Sequence, residues 1–292
     1  AEPTPIPTPE PTAEPTAEPT PIPTPEPTAE PMPELIVSET AITLGQGERW
    51  QLNATYERGN ASDITYSTRS KKIATVSTGG VVKGTRAGTT EIVVATPDGQ
   101  SDIVAVTVKK APKRVSLNAK KLTLGVDERF QLTASLPKGT ASRLSFASDA
   151  PDVLETDATG LLRALQPGKA KITVNTFNGK KASCTVTVLA APDSLALNAS
   201  ALTLGAGERY ALNATLNPGS AGTVRFESDN PASVSVEPDS GKIVAVAPGH
   251  ARITARSYNN LTAVCDVSVK GAPEGISIAE SKLKLSLGDR YQ

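Results

Sequence analysis

The feature that most constrains this chain is a period of about 80 residues. The segment LGQGERWQLNAT from Leu44 returns as LGVDERFQLTAS from Leu124 and as LGAGERYALNAT from Leu204. Gly80, Gly160 and Gly241 follow, as do Gly88, Gly168 and Gly249, at spacings of 80 and 81, so one residue has been inserted in the third copy, near Ala232. Ile276 opens the pattern again and LKLSLGDRYQ runs to Gln292. A fixed period of this size means one structural unit copied along the chain. The expected units are residues 34–110, 111–190 and 191–271. Residues 272–292 would begin a fourth, too short to bury a core and so not expected to fold independently.

Within a unit the apolar period is two, not 3.6. In the second unit Phe130, Leu132, Ala134 and Leu136 alternate with Gln131, Thr133 and Ser135; Ala170, Ile172 and Val174 alternate with Lys171, Thr173 and Asn175; Cys184, Val186 and Val188 alternate with Thr185 and Thr187. Alternation of this kind marks half-buried strands. With the short segments near Val115–Leu117, Leu122–Leu124, Leu144–Ala147, Val153–Glu155 and Leu161–Leu165, each unit is read as about seven strands joined by Gly, Pro, Asn and Asp turns. Strands of this number and length predict an all-β fold of tandem immunoglobulin-like antiparallel β-sandwiches. About a dozen inward side chains, each worth roughly 1.5–3 kcal/mol when fully buried, make a core that needs no disulfide.

Residues 1–33 are of another kind. AEPTPIPTPEPTAEPT is repeated at once with Met32 in place of Thr16, and 13 of the first 33 residues are Pro. Each Pro removes a backbone donor and pushes the residue before it toward extended geometry, so neither helix nor sheet propagates. We expect a disordered, extended Pro/Thr/Glu-rich linker that at ~3.1 Å per residue reaches on the order of 100 Å. Its bland role is a spacer; the alternative is a Pro-rich docking ligand. The first 34 residues also hold seven Glu and no Lys or Arg, leaving 23 acids against 30 bases in the rest, near +7. Scattered basicity of this size argues against nucleic acid, whose binders cluster Lys and Arg on one face. The apolar runs fall far short of the ~20 residues of a membrane span. No secretory signal opens the sequence, so the numbering is expected to start inside a longer or already processed protein.

The quoted residues together resemble the group 2 bacterial immunoglobulin-like domain family. The match rests on Gly125 with Leu132 and Ala134, Phe146 with Ser148, Gly160, Gly168 with Ala170 and Ile172, and Cys184 to Val188, repeated in register in three copies over about 260 residues if the partial unit is counted. Where the family usually carries Trp in its third strand, Tyr66, Phe146 and Phe226 stand here, a departure expected to change packing only. The resemblance implies tandem domains of the kind found in bacterial surface proteins, adhesin stalks, cell-wall enzymes and phage tails, and hence an extracellular location, on the bacterial surface or secreted.

A search for chemistry returns packing. Cys184 and Cys265 occupy one position of consecutive units, where the first has Val104, so they are read as buried hydrophobes in separate cores rather than a disulfide. His250 is the sole histidine and sits in a turn; a nucleophile needs a positioned base and a zinc site several ligands, so no catalytic residue, metal or cofactor is expected. The acids of Ser148–Asp152 and Ser228–Pro231 match no calcium loop and read as turn residues. Glu48–Arg49 recurs as Glu128–Arg129, Glu208–Arg209 and Asp289–Arg290 and reads as edge solvation and turn anchoring. Trp50, Phe130, Tyr210 and Tyr291 share one position, Tyr66, Phe146 and Phe226 another, and both are read as core; Tyr56 joins them in the place of Leu136 and Leu216.

That leaves Phe177 in FNGK and Tyr258 in YNN at the tip of the last hairpin, where the first unit has Pro97. Exposed loop aromatics stack on sugars or anchor a protein, which makes these the best binding candidates, for cell-wall polysaccharide or a host surface protein or glycan. The competing reading is packing between units, because the hairpin lies at the pole where the chain enters and the unit lacking the ring has only the arm before it. Six-residue joints at 109–114, 189–194 and 270–275 carry Pro112, Pro192 and Pro273, which limits hinge freedom. The sequence therefore predicts a monomeric, non-enzymatic spacer. The alternatives are an adhesive module acting through end loops and an accessory region of a cell-wall enzyme.

Overall fold

The computed structural model describes residues 35–57, 60, 63–271, 273–278, 282–288 and 290. The linker expected at residues 1–33 lies outside the described residues, as does Tyr291. The described residues form 27 strands and no helix. The first unit contains β1 (Leu35–Val37), β2 (Ala41–Gly45), β3 (Arg49–Gln51), β4 (Ala54–Tyr56), β5 (Thr65–Thr68), β6 (Ala74–Val76), β7 (Val81–Gly84), β8 (Gly88–Ala95) and β9 (Ser101–Lys109). The other two repeat this order. One layer is a four-stranded sheet, β2-β9-β8-β5; the facing layer is β3-β7-β6 with the short pair β1-β4 beside it. All these pairs are antiparallel except β2 with β9, which is parallel, Ile42 opposite Val106 and Leu44 opposite Val108.

The alternation builds the core directly. Along β8 and β9 every second side chain is buried, so that Ile92 and Val94 of one strand and Val104, Val106 and Val108 of the other point into the layer formed by Leu52, Ala74 and Val82. Val, Ile and Thr suit these strands because β-branched side chains pack well on a pleated surface. The second and third units have equivalent clusters of their own, with Cys184 and Cys265 fully buried one in each and both free. Burial pushes both thiols up from the ordinary value. Phe226 is buried; Trp50, Tyr56, Tyr66, Phe130, Phe146 and Tyr210 are half-buried and pack against the clusters.

Each unit has nine strands rather than about seven. The run read as one strand from Phe130 to Leu136 is two, because the Leu132 amide leaves the ladder and donates to the Gly160 carbonyl at 3.0 Å; Leu52 and Leu212 do the same with Gly80 and Gly241. The turn is held against that leucine from the other side as well. Gly160 has φ 85°, and a Cβ there would meet the Leu132 carbonyl oxygen at 2.4 Å and the Phe146 ring at 2.9 Å. Only glycine satisfies both the left-handed backbone and the close approach.

The extra residue of the third copy is not near Ala232 but in this turn. Asp157 N–H donates to the Leu161 carbonyl, while the equivalent Glu237 N–H donates to that of Lys242, and the hydrogen bonds around Ala150 and Asn230 keep a spacing of 80. An insertion inside the turn leaves both flanking strands in register, whereas one in a strand would turn its side chains to the wrong face. The described residues of 272–292 contain no strand, and Ile276 is 93% exposed.

Candidate functional site

The two hairpin aromatics lie between units. Phe177 follows the strand Gly168–Thr176, in a turn closed by Thr176 N–H to the Lys180 carbonyl at 2.9 Å. Its half-buried ring sits over Gly45 of the preceding unit, where a Cβ would fall 2.5 Å from the ring and 2.4 Å from the Ala141 carbonyl oxygen. Tyr258 sits over Gly125 in the same way, and its hydroxyl donates to the Val126 carbonyl at 2.6 Å. Beside each ring an asparagine holds the linker: Asn178 Nδ2 donates to the Pro112 carbonyl at 2.8 Å and Asn259 Nδ2 to that of Pro192 at 2.7 Å. The linker's first residue also pairs with the next unit, in the bridges Lys110 with Thr140 and Ala190 with Ser220.

The sequence reading missed the carboxylates that complete these joints. Glu48 and Glu128 are 2% and 3% exposed, too dry for edge solvation. One oxygen anchors the local turn, Oε2 accepting from Gly45 N–H at 2.7 Å and from Gly125 N–H at 2.9 Å. The other reaches across: Glu48 Oε1 accepts from Arg143 N–H at 2.7 Å, and Glu128 Oε1 from Thr223 N–H at 2.9 Å and from the Thr223 hydroxyl. Hydrogen bonds to an ionised acceptor are about twice as strong as neutral ones, which compensates the burial of the charge. At the first joint the Arg143 guanidinium also stacks 4.9 Å from the Trp50 ring centroid and donates to the Arg49 carbonyl at 3.1 Å. The recurrence of Glu-Arg was the available signal. Its partners are backbone amides 95 residues away, which carry no side-chain signature.

Burial first, and the Glu128 and Asp127 charges second, hold the Tyr258 phenol above its ordinary value. An opened joint would let it ionise near pH 10. The closed joint favours the neutral donor, so this contribution is complete below about pH 10 and is lost as pH rises through the raised value. We expect the second joint to loosen in that alkaline range more in the native chain than in Tyr258→Phe, which keeps the ring without the proton. The difference between their alkaline unfolding curves measures it, and superimposable curves would rule it out.

The remaining candidates sit apart from one another. His250 Nδ1 lies 3.0 Å from Ser268 Oγ on the outer face of the third unit, beside the exposed pair Arg252–Asp266 at 2.9 Å. Asp149 and Asp229 accept from the Lys171 and Arg252 amides at 2.7 Å, the turn role that the sequence suggests. Among the described residues no three His, Cys, Asp or Glu converge on a metal position, and no helix is long and apolar enough to cross a membrane.

Comparison with known proteins agrees with this architecture. An uncharacterised protein of Clostridium acetobutylicum is 30% identical over 163 residues, 53% of this chain and 17% of that protein, so the chain spans under a fifth of this relative. Similar solved structures include domains 1–6 of the surface layer protein SbsC, at 17% identity and TM-score 0.26, covering 87% of this chain and 42% of that one. A 282-residue C-terminal fragment of intimin, solved with the intimin-binding domain of its translocated receptor, has 17% identity and TM-score 0.23, covering 54% and 64%. The sequence pattern of the bacterial Ig-like domain (group 2) matches residues 31–108, 111–186 and 193–267, and the chain belongs to that family in three tandem copies.

Proposed function

We propose that this chain is a non-enzymatic spacer of a bacterial surface or secreted protein, in which units 34–110, 111–190 and 191–271 hold another region at a set distance. The observation that carries this reading is that both joints use the same parts: a buried carboxylate accepting from the next unit, an aromatic ring over a glycine, and an asparagine on the linker proline carbonyl. Repetition of one geometry makes the unit-to-unit orientation a built property rather than an accident of two surfaces. The chemistry asked of the protein is then mechanical. A binding role for Phe177 and Tyr258 is less favoured, since both rings are engaged between units. Adhesion to polysaccharide or a surface protein would have to use other loops.

Small-angle scattering of the full chain tests the spacer. At ~3.3 Å per residue in its long strands plus end loops, a unit measures roughly 35–40 Å, so three in line span on the order of 100 Å before the first 33 residues are added. A maximum dimension of that order or greater is expected. Dimensions of a single compact globule would refute the spacer.

A further inference from the structure

The third unit carries the same joint parts as the first two, and no described residue of a following unit covers them. Gly205 N–H donates to Glu208 Oε2 at 2.6 Å, as in the other copies, but Glu208 is exposed where Glu48 and Glu128 are buried. Above Gly205 a Cβ would meet only the Glu208 side chain, at 3.7 Å, whereas at Gly45 and Gly125 it would strike a carbonyl oxygen and an aromatic ring of the next unit. We propose that this face, built from Gly205, Ala206 and Glu208, docks one further immunoglobulin-like unit whose last hairpin carries an aromatic residue followed by asparagine.

The two occupied joints specify the occupant. The free Glu208 oxygen calls for a backbone N–H from the loop equivalent to Arg143 and Thr223. The bare glycine calls for a ring, and a linker proline carbonyl for an asparagine donor. Residues 272–292 repeat the opening of a unit and carry Pro273 where the other joints have Pro112 and Pro192. The first unit of a second copy does not qualify, because Pro97 and Asp98 stand where the ring and the asparagine are needed. The face is therefore directional: it accepts a following unit of the right hairpin and rejects the leading unit of another chain. This assignment stands on the joint geometry, and a scattering result against an extended arrangement would leave it in place.

The test compares the 292-residue chain with the same chain extended after Gln292 by a copy of residues 212–271, which continues the register because Gln292 stands where Ala211 stands. A companion extension uses residues 132–190 and carries Phe177. A third has Tyr258→Pro in its copied segment. The Glu208 carboxylate and Gly205 amide resonances should move toward those of Glu128 and Gly125 in the first two and stay at their unextended positions in the third. Gly205→Ala should be silent in the 292-residue chain and abolish the movement in the extended ones. Unmoved resonances in both aromatic extensions, or equal tolerance of Gly205→Ala with and without them, would overturn the proposal.

Discussion

Gly160→Ala is expected to destabilise the second unit by on the order of 3–4 kcal/mol, the largest single effect in the molecule. Two costs add. The backbone at φ 85° is left-handed, which costs an alanine roughly 1–2 kcal/mol. The new methyl would also lie 2.4 Å from the Leu132 carbonyl oxygen, a group fixed because the Leu132 amide is bonded back to the same turn, with the Phe146 ring closing the other exit. Gly179→Ala is the internal control. Its φ is 78° but no atom lies within 4 Å of the added methyl, so the conformational cost acts alone. In calorimetry of the full chain one of three transitions should fall by roughly 12 °C or more for Gly160→Ala, taking about 4–8 °C per kcal/mol for a unit of this size. Equal shifts for the two variants would show that the close approach carries no energy.

Glu128→Ala should cost the second joint on the order of 3 kcal/mol. It removes the acceptor of three donors at once, the amides of Gly125 and Thr223 and the Thr223 hydroxyl, in a place that is 3% exposed. Donors to a charged group lose about 1.5–3 kcal/mol each when stranded, less whatever water recovers on entering the opened joint. Glu208→Ala removes the same side chain from an exposed turn with one donor and should cost about 1 kcal/mol or less. The observable difference is coupling: with Glu128 intact the second and third units should unfold at linked temperatures and tumble together in nitrogen relaxation, and in the Glu128→Ala variant they should separate. The idea fails if Glu128→Ala and Glu208→Ala behave alike.

What could be read in the amino-acid order depended on which groups carried the information. Strands were legible because alternation of Val, Ile and Thr is a side-chain pattern, and their repetition fixed the family. The break at Leu132 and the true place of the inserted residue were not, since both are decided by which backbone amide bonds to which carbonyl. The joint was half legible. The missing ring at Pro97 pointed to the pole between units, whereas Glu128 looked like any exposed acid, its partner being an amide of the next unit. Arg143 stacking on Trp50 was hidden for the same reason, because the two meet only when separate units are placed in contact.

The parallel pairing of β2 with β9 has a further consequence. In every unit the strand by which the chain enters and the strand by which it leaves lie side by side and point the same way, in the first over five register pairs from Ala41 opposite Ala105 to Gly45 opposite Lys109. Tension between the two ends therefore slides one strand lengthwise past the other instead of peeling them apart. The ladder bonds are strained together rather than one after another, so the resistance of each unit to stretching resides in that short seam.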